Sequence, residues 1–254
     1  MRTGRCVCLY SLRNRANPWL DKLRPVMYKA RLMKKAICTL LALSSLLAAS
    51  ALKAEDGWVS LFNGKDLIGW KSNWETDEKN AMKAEVFSVE NGEIKVNGGR
   101  CHLFYVGPVN NAVFKNFELK AKVKTQPGAN SGIYFHTAFE SNNWPSKGFE
   151  CQVNETHTDI KKTGGLYAVK DVLNVSPAKD EEWFDYDIKV QGNHVVLSIN
   201  GKVTSDWTQP DDWDPSKSLK GMPGRKLGEG TFALQGHDPK SITHYKDIFV
   251  KVLP

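Results

Sequence analysis

Phe117-Glu-Leu-Lys-Ala-Lys-Val-Lys124 alternates without a break, with Phe117, Leu119, Ala121 and Val123 on one side and Glu118, Lys120, Lys122 and Lys124 on the other. Side chains alternate across a strand with period two, so this stretch reads as a strand with one face in a core and one in water. The same period returns on both sides of it. Phe184, Tyr186, Ile188 and Val190 alternate with Asp185, Asp187 and Lys189, and Gly192-Asn193 then turns the chain into His194-Val-Val-Leu-Ser-Ile199. Asn200-Gly201 is a second tight turn, leading into residues 202–204, and Asn91-Gly92 joins residues 86–90 to 93–96 in a third. Gly and Asn tolerate the positive φ that such turns require. The chain closes on residues 245–253, where Ile248, Val250 and Val252 share a face. Helical periodicity is nearly absent. About a dozen short strands without a long helix predict an all-β fold of two antiparallel sheets packed face to face.

Three further stretches have an oily face opposed by compact hydrogen-bonding groups instead of lysines. Ser131-Gly-Ile-Tyr-Phe-His136 sets Ile133 and Phe135 against Tyr134 and His136, with Asn130 just upstream. Phe149-Glu-Cys-Gln-Val153 sets Phe149, Cys151 and Val153 against Glu150 and Gln152. Thr231-Phe-Ala-Leu-Gln-Gly-His237 sets Phe232 and Leu234 against Gln235 and His237. A merely solvated strand face would use Lys, Glu and Thr. The polar set found here suits a polyhydroxylated ligand, and parity places it on one surface. The long connections 71–84, 140–147, 154–164 and 205–228 carry Trp74, Trp144, Trp207 and Trp213, and at least one indole is expected to stack on a sugar ring, Trp144 being the candidate.

Residues 33–54 read as a secretory leader: Met33-Lys-Lys, an apolar run to Leu52, then Ala54 before an acidic start. The run is short of the ~20 apolar residues a spanning helix needs. Residues 1–32, Arg-rich and aperiodic, are read as an extension ahead of the true start, and 55–254 as a single domain, expected in the periplasm or outside the cell. The leader also settles the charge. The chain has 35 Lys and Arg against 28 Asp and Glu, but residues 1–54 hold 11 of those bases and one acid, leaving 24 against 27. The basicity belongs to residues 1–54 and is no evidence for nucleic-acid binding, so no nucleic-acid partner is expected. No membrane is expected for the mature chain, and nothing fixes its oligomeric state. Cys101 and Cys151 could pair in an oxidising compartment, although Cys151 also falls on an inward strand face.

The common hydrolytic chemistries fit poorly. A two-carboxylate glycosidase needs paired acids, and two residues along from Glu150 stands Gln152; a loop acid such as Asp159 or Asp171 would have to complete the pair. No His-x-His or His-Glu-x-x-His spacing occurs, so no cofactor is expected, a divalent ion held by Glu150, His136 and His237 remaining possible. There is no Gly-x-Ser-x-Gly elbow. His237 follows a glycine at a strand end on the face of Gln235, where an imidazole can move protons. His102, His194 and His244 are assigned no role.

Taken in order, Trp58-Val-Ser-Leu-Phe-Asn-Gly-Lys-Asp-Leu-Ile-Gly-Trp70, Asn116-Phe-Glu-Leu119, Asn130-Ser-Gly-Ile133, Gly148-Phe-Glu-Cys-Gln152, Glu182-Trp183 with Tyr186, Asn200-Gly201, Ala233-Leu-Gln235 with His237, and Tyr245-Lys-Asp-Ile-Phe249 resemble the 3-keto-disaccharide hydrolase domain family over residues 57–254. The resemblance implies a concanavalin A-like jelly roll and cleavage of glycosides already oxidised to a ketone at C3. It carries Asn130, Glu150, Gln152, Gln235 and His237 over as the pocket. Where relatives have an arginine after Asn-Ser-Gly-Ile-x-x, this chain has His136, which leaves open how an anionic intermediate would be stabilised. A C3 ketone acidifies the C2 proton, so one base, donors at the enolate oxygen and a proton source would suffice. Glu150 and His237 are the expected base and acid, in either order. Asn130, Gln152, Gln235 and His136 would orient hydroxyls and hold the enolate. The alternative reading is a carbohydrate-binding module of the same fold without catalysis.

Overall fold

The computed structural model describes residues 55–73, 86–141, 144–219 and 221–254. The expected extension 1–32, the leader 33–54 and Trp74 lie outside the described residues. Among the described residues, fifteen strands follow one another: β1 (Val59–Ser60), β2 (Trp70–Ser72), β3 (Phe87–Glu90), β4 (Glu93–Asn97), β5 (Cys101–Tyr105), β6 (Phe117–Thr125), β7 (Asn130–Thr137), β8 (Phe149–Asn154), β9 (Lys161–Leu166), β10 (Lys170–Leu173), β11 (Phe184–Gln191), β12 (His194–Ile199), β13 (Lys202–Thr208), β14 (Thr231–Gly236) and β15 (Ile242–Val252). Among the described residues, the one α-helical turn is Pro215–Ser218, capped by the Asp214 side chain.

Two antiparallel sheets form a jelly-roll sandwich. The first runs β13-β12-β11-β6-β15-β4-β3, with β1 paired to β15, and the second β10-β9-β8-β7-β14-β5-β2. The turn glycines and asparagines act as the sequence requires: Asn91, Gly92, Gly192, Asn200 and Gly201 all have positive φ. The strict alternation of β6 reappears as alternating burial along the strand. Its inward residues meet Tyr186, Ile188 and Val250 from the neighbouring strands and Ile133, Phe135, Phe149, Cys151 and Leu234 from the opposite sheet in one continuous core. Each large apolar side chain fully removed from water there contributes about 1.5–3 kcal/mol. Cys101 and Cys151 are both buried and are not bonded to each other.

The sheets differ in a way that positions the site. The outer face of β6 and β11 is solvated, whereas β5, β7, β8 and β14 are buried on both faces. Loop residues 144–148 meet loop residues 221–228 beside the second sheet. Gly148 N–H donates to Gly224 O at 3.0 Å, and Lys147 bridges Gly224. A Cβ on Gly224 would stand 1.9 Å from Ser146 O, so the loops approach this closely only because that residue is glycine.

Candidate functional site

Register builds the site. Across β8, β7, β14 and β5, one row on the outer face reads Glu150, Tyr134, Ala233, Phe104. The next reads Gln152, Gly132, Gln235, His102, since Gln152 pairs with Gly132 and Gln235 with His102. Asn130 lies one step further along β7, and His237 just beyond the end of β14. Above these rows opens a cavity of about 580 Å³ lined by Asn130, Tyr134, Glu150, Gln152, Gln235 and His237, and also by Asp159, Tyr167 and Arg225. Trp144 forms part of its wall, its ring 5.5 Å from those of His102 and His237.

On one side of the cavity Glu150 anchors a clamp. Its Oε2 accepts from Tyr134 OH at 2.7 Å and from Arg225 Nη2 at 3.0 Å, and its Oε1 accepts from Gln235 Nε2 at 2.8 Å. Arg225 also donates from Nη1 to Gly148 O at 3.2 Å, and Trp213 Nε1 donates to Arg225 O at 2.7 Å. Both charges are nearly excluded from water. Burial alone would lower the Arg225 pKa, but Tyr134 and Glu150 beside it carry it above its ordinary value. Burial, and then the Glu150 charge, push the Tyr134 phenol well up, so it stays a donor.

On the other side lie two imidazoles on one carboxylate. His237 Nδ1 is 2.9 Å from Asp238 Oδ2, and His157 Nε2 is 3.8 Å from the same oxygen. Asp238 is further held by Ser241 OH at 2.6 Å and by Lys240 N–H at 2.9 Å. Burial works against its charge, yet these donors keep its pKa below the usual carboxylate range. The partners fix both rings. Asp159 N–H donates to His157 Nδ1 at 3.1 Å, which puts that ring's proton on Nε2, facing Asp238. His237 Nδ1–H points to Asp238, leaving the Nε2 lone pair toward Asn130 Nδ2 in a long contact of 3.4 Å. Asn130 is itself oriented because its Oδ1 accepts from Gln152 Nε2 at 3.0 Å. Burial lowers the His157 pKa, and His237 lowers it further.

Asn130, Tyr134, Trp144, Glu150, Gln152, Gln235 and His237 therefore line one cavity, while His136 does not. Thr231 pairs with Thr137 and Ala233 with Tyr134, so Phe135 and His136 together oppose Phe232, and His136 takes φ 54°. This bulge turns the imidazole off the expected face. It packs on Phe117 and Phe135, with Nε2 on Lys115 O at 2.9 Å and Nδ1 accepting from Gly228 N–H at 3.3 Å. The assembly of Glu150, His136 and His237 around an ion consequently does not form. The described cluster with ligand atoms close enough to share an ion is His157, His237 and Asp238, where a cation would have to displace the His157 Nε2 proton. Cys151 lies in the core with its thiol pKa pushed well up by burial. Trp207 and Trp213 pack on each other beneath the Arg225 loop.

The sequence reading missed Arg225, Asp238 and His157. Asp238 was legible, because a carboxylate directly after a candidate imidazole is a local signal. His157 and Arg225 sit in long connections with no periodicity, and only the folded loops bring them to the sheet.

Residues 57–251 match the model of the 3-keto-alpha-glucoside-1,2-lyase-like domain. A curated relative from Bacteroides thetaiotaomicron, a 3-keto-disaccharide hydrolase, is 25% identical over 237 residues, covering 78% of this chain and 79% of its own. Two solved structures from Parabacteroides distasonis, assigned as glycosyl hydrolases, share the fold. One has a TM-score of 0.63 at 22% identity, covering 78% of this chain and 95% of its own. The other has a TM-score of 0.59 at 23% identity, with coverages of 77% and 99%.

Proposed function

The chain belongs to the 3-keto-alpha-glucoside-1,2-lyase-like domain family, and we propose that it is a secreted carbohydrate-active enzyme that cleaves 3-keto-glycosides. His237 Nε2 takes the C2 proton, and the C–H electron pair moves into the C2–C3 bond as the ketone becomes an enolate. The enolate then collapses, restoring the C3 carbonyl, forming a C1–C2 double bond and expelling the C1 oxygen substituent, which takes its proton from the His237 imidazolium and returns that ring to its neutral form. Water then adds its hydroxyl to C1 and its remaining proton reaches C2 through His237, so the net reaction is hydrolysis. Asp238 holds the His237 tautomer and steadies the imidazolium formed in the first step.

The observation that carries this reading is the division of the cavity. A carboxylate-backed imidazole stands on one side and a carboxylate-anchored guanidinium on the other. Arg225 offers positive charge and spare N–H donors to the developing enolate oxygen, filling the part that His136 leaves vacant. Glu150 already receives three donors, one of them a guanidinium, which suits anchoring better than proton transfer. Asp159 lines the same cavity, so a two-carboxylate glycosidase built on Glu150 and Asp159 is the competing chemistry. Turnover of a 3-keto-disaccharide beside its unoxidised parent decides between them. The account expects cleavage of the keto form alone. Equal turnover of both, or binding of the keto form without cleavage, would overturn it, the latter leaving a binding module.

A further inference from the structure

The cavity has two unlike ends, and contacts across its floor order them. The Arg225 guanidinium lies 5.3 Å over the Tyr134 ring, Tyr134 lies 5.0 Å from His102, His102 5.5 Å from Trp144, and Trp144 5.5 Å from His237. Two rings therefore separate Trp144 from the guanidinium, while the indole stands directly beside the imidazole. On the other side of the clamp, Tyr167 N–H donates to Glu150 O at 2.9 Å, and the Tyr167 hydroxyl faces Asp159 Oδ2 at 3.5 Å. Tyr167 and Asp159 are half-buried and line the cavity, so this end is polar.

The Trp144 end is apolar. Pro145 follows it in the chain, and Met222 and Pro223 lie on the loop that meets theirs; none of the four carries a charge or an oxygen on its side chain. The polar side chain beside them is Ser146, whose hydroxyl and N–H both donate to Glu140 Oε1, at 2.9 and 2.8 Å. Trp144 keeps 37% of its surface exposed although His102 and His237 lie against it. Arg100 lies 5.2 Å over the indole. A cation there draws on the ring's π density, which weakens its hold on sugar C–H bonds and favours an electron-rich arene. The cavity, at about 580 Å³, falls in the ~300–1,000 Å³ range of sites for drug-sized ligands, so it has room for a sugar and an aglycone together.

The chemistry given above orients the substrate between these ends, and the inference rests on that reading. The C3 oxygen faces Arg225 and the C2 proton faces His237, which also protonates the leaving oxygen. C1 is bonded to C2 and not to C3, so the leaving group extends past His237, away from the guanidinium and toward Trp144. C4 is bonded to C3 and falls toward Tyr167 and Asp159. We propose that Trp144 is the platform for the leaving group, and that the enzyme favours flat aromatic aglycones, phenols joined at C1 of the keto sugar, over a second sugar. The indole gives such a ring a stacking face, whereas a sugar there finds no side-chain oxygen on Trp144, Pro145, Met222 or Pro223 for its hydroxyls.

The test is calorimetric binding of carbon-linked analogues, which carry the C3 ketone but cannot expel the group at C1: methyl, cyclohexyl and phenyl 3-keto-C-glucosides and a methylene-linked pseudo-disaccharide. On the wild-type protein the phenyl analogue should bind about 10- to 100-fold tighter than the methyl one, and tighter than the cyclohexyl analogue and the pseudo-disaccharide. Trp144→Ala should bring the phenyl and methyl analogues within about threefold of each other, and Trp144→Phe should restore part of the gap. Phenyl binding no tighter than any of the other three, or a phenyl advantage that survives in Trp144→Ala, would overturn the proposal. The wild-type order and the phenylalanine variant keep the test decisive if the alanine variant fails to fold. Turnover of the oxygen-linked phenyl 3-keto-glucoside separates the platform from the reaction. The predicted binding order without cleavage would keep the platform and remove the chemistry, and cleavage without that order would do the reverse.

Discussion

Replacing Arg225 by Met tests the clamp that joins the 221–228 loop to the sheet. The substitution keeps a long side chain but strips Glu150 of its counterion while leaving the Tyr134 and Gln235 donors in place. Breaking one side of a buried ion pair costs about 3–5 kcal/mol. The two surviving donors argue for the lower end, about 3 kcal/mol, which for a domain of this size is a fall in Tm of roughly 6–12 °C. Urea denaturation of the wild type, Arg225→Met, Glu150→Gln and the double variant closes the cycle. Once Glu150 is neutral, losing the guanidinium leaves no bare charge, so the double variant should be more stable than the summed singles by about 2 kcal/mol. Additivity within about 0.5 kcal/mol would refute the claim that the two charges depend on each other. Turnover of a 3-keto-glycoside should fall about 10²–10³-fold in Arg225→Met, in kcat more than in KM.

Other consequences can be checked separately. Asp238→Asn should lower kcat by about 10²–10³ with KM nearly unchanged, because the amide can hold His237 in the wrong tautomer; combining it with His237→Ala should cost little beyond the single His237 change, and independent losses would contradict the dyad. Gly132→Ala should displace Glu150 and lower both stability and activity; an alanine variant with wild-type kinetics would mean that activity does not depend on where Glu150 sits. Stability should decline on acidification. Burial, with the Arg225 and His237 charges behind it, holds His102 down to about 3, and burial also holds His136 down to about 4. Both rings stay neutral in the folded chain while the unfolded chain takes protons below about 6.5, so stability is full above that value and falls toward pH 4, with a slope approaching about 2.7 kcal/mol per pH unit. Urea midpoints that stay level from pH 7 to 4.5 would mean that neither ring is buried neutral, since either one alone would still lower stability by about 1.4 kcal/mol per pH unit.

The sandwich was legible because its signals are local. Residues 117–124 carry their parity in eight letters, and Asn91-Gly92 and Asn200-Gly201 announce their turns. The outer face of the second sheet was legible for the same reason, since Glu150, Gln152 and Gln235 keep strict parity. His136 breaks the pattern through one extra residue in β7, and nothing in Tyr134-Phe-His136 marks a bulge that depends on how β14 pairs opposite. Arg225 lies beyond any periodic reading. Its position depends on Gly224 fitting against Ser146 and on Trp213 holding its carbonyl, both contacts between segments distant in sequence.

Cleavage of a 3-keto-disaccharide in deuterated water, followed by mass and NMR analysis of the released keto sugar against an enzyme-free control, addresses the central claim most directly. Proton removal at C2 with later hydration predicts one solvent-derived deuterium at C2 of the product, acquired at the rate of cleavage and abolished in His237→Ala. Cleavage that leaves the original hydrogen at C2 would mean the glycosidic bond is broken by direct displacement, and the proposed chemistry would be wrong.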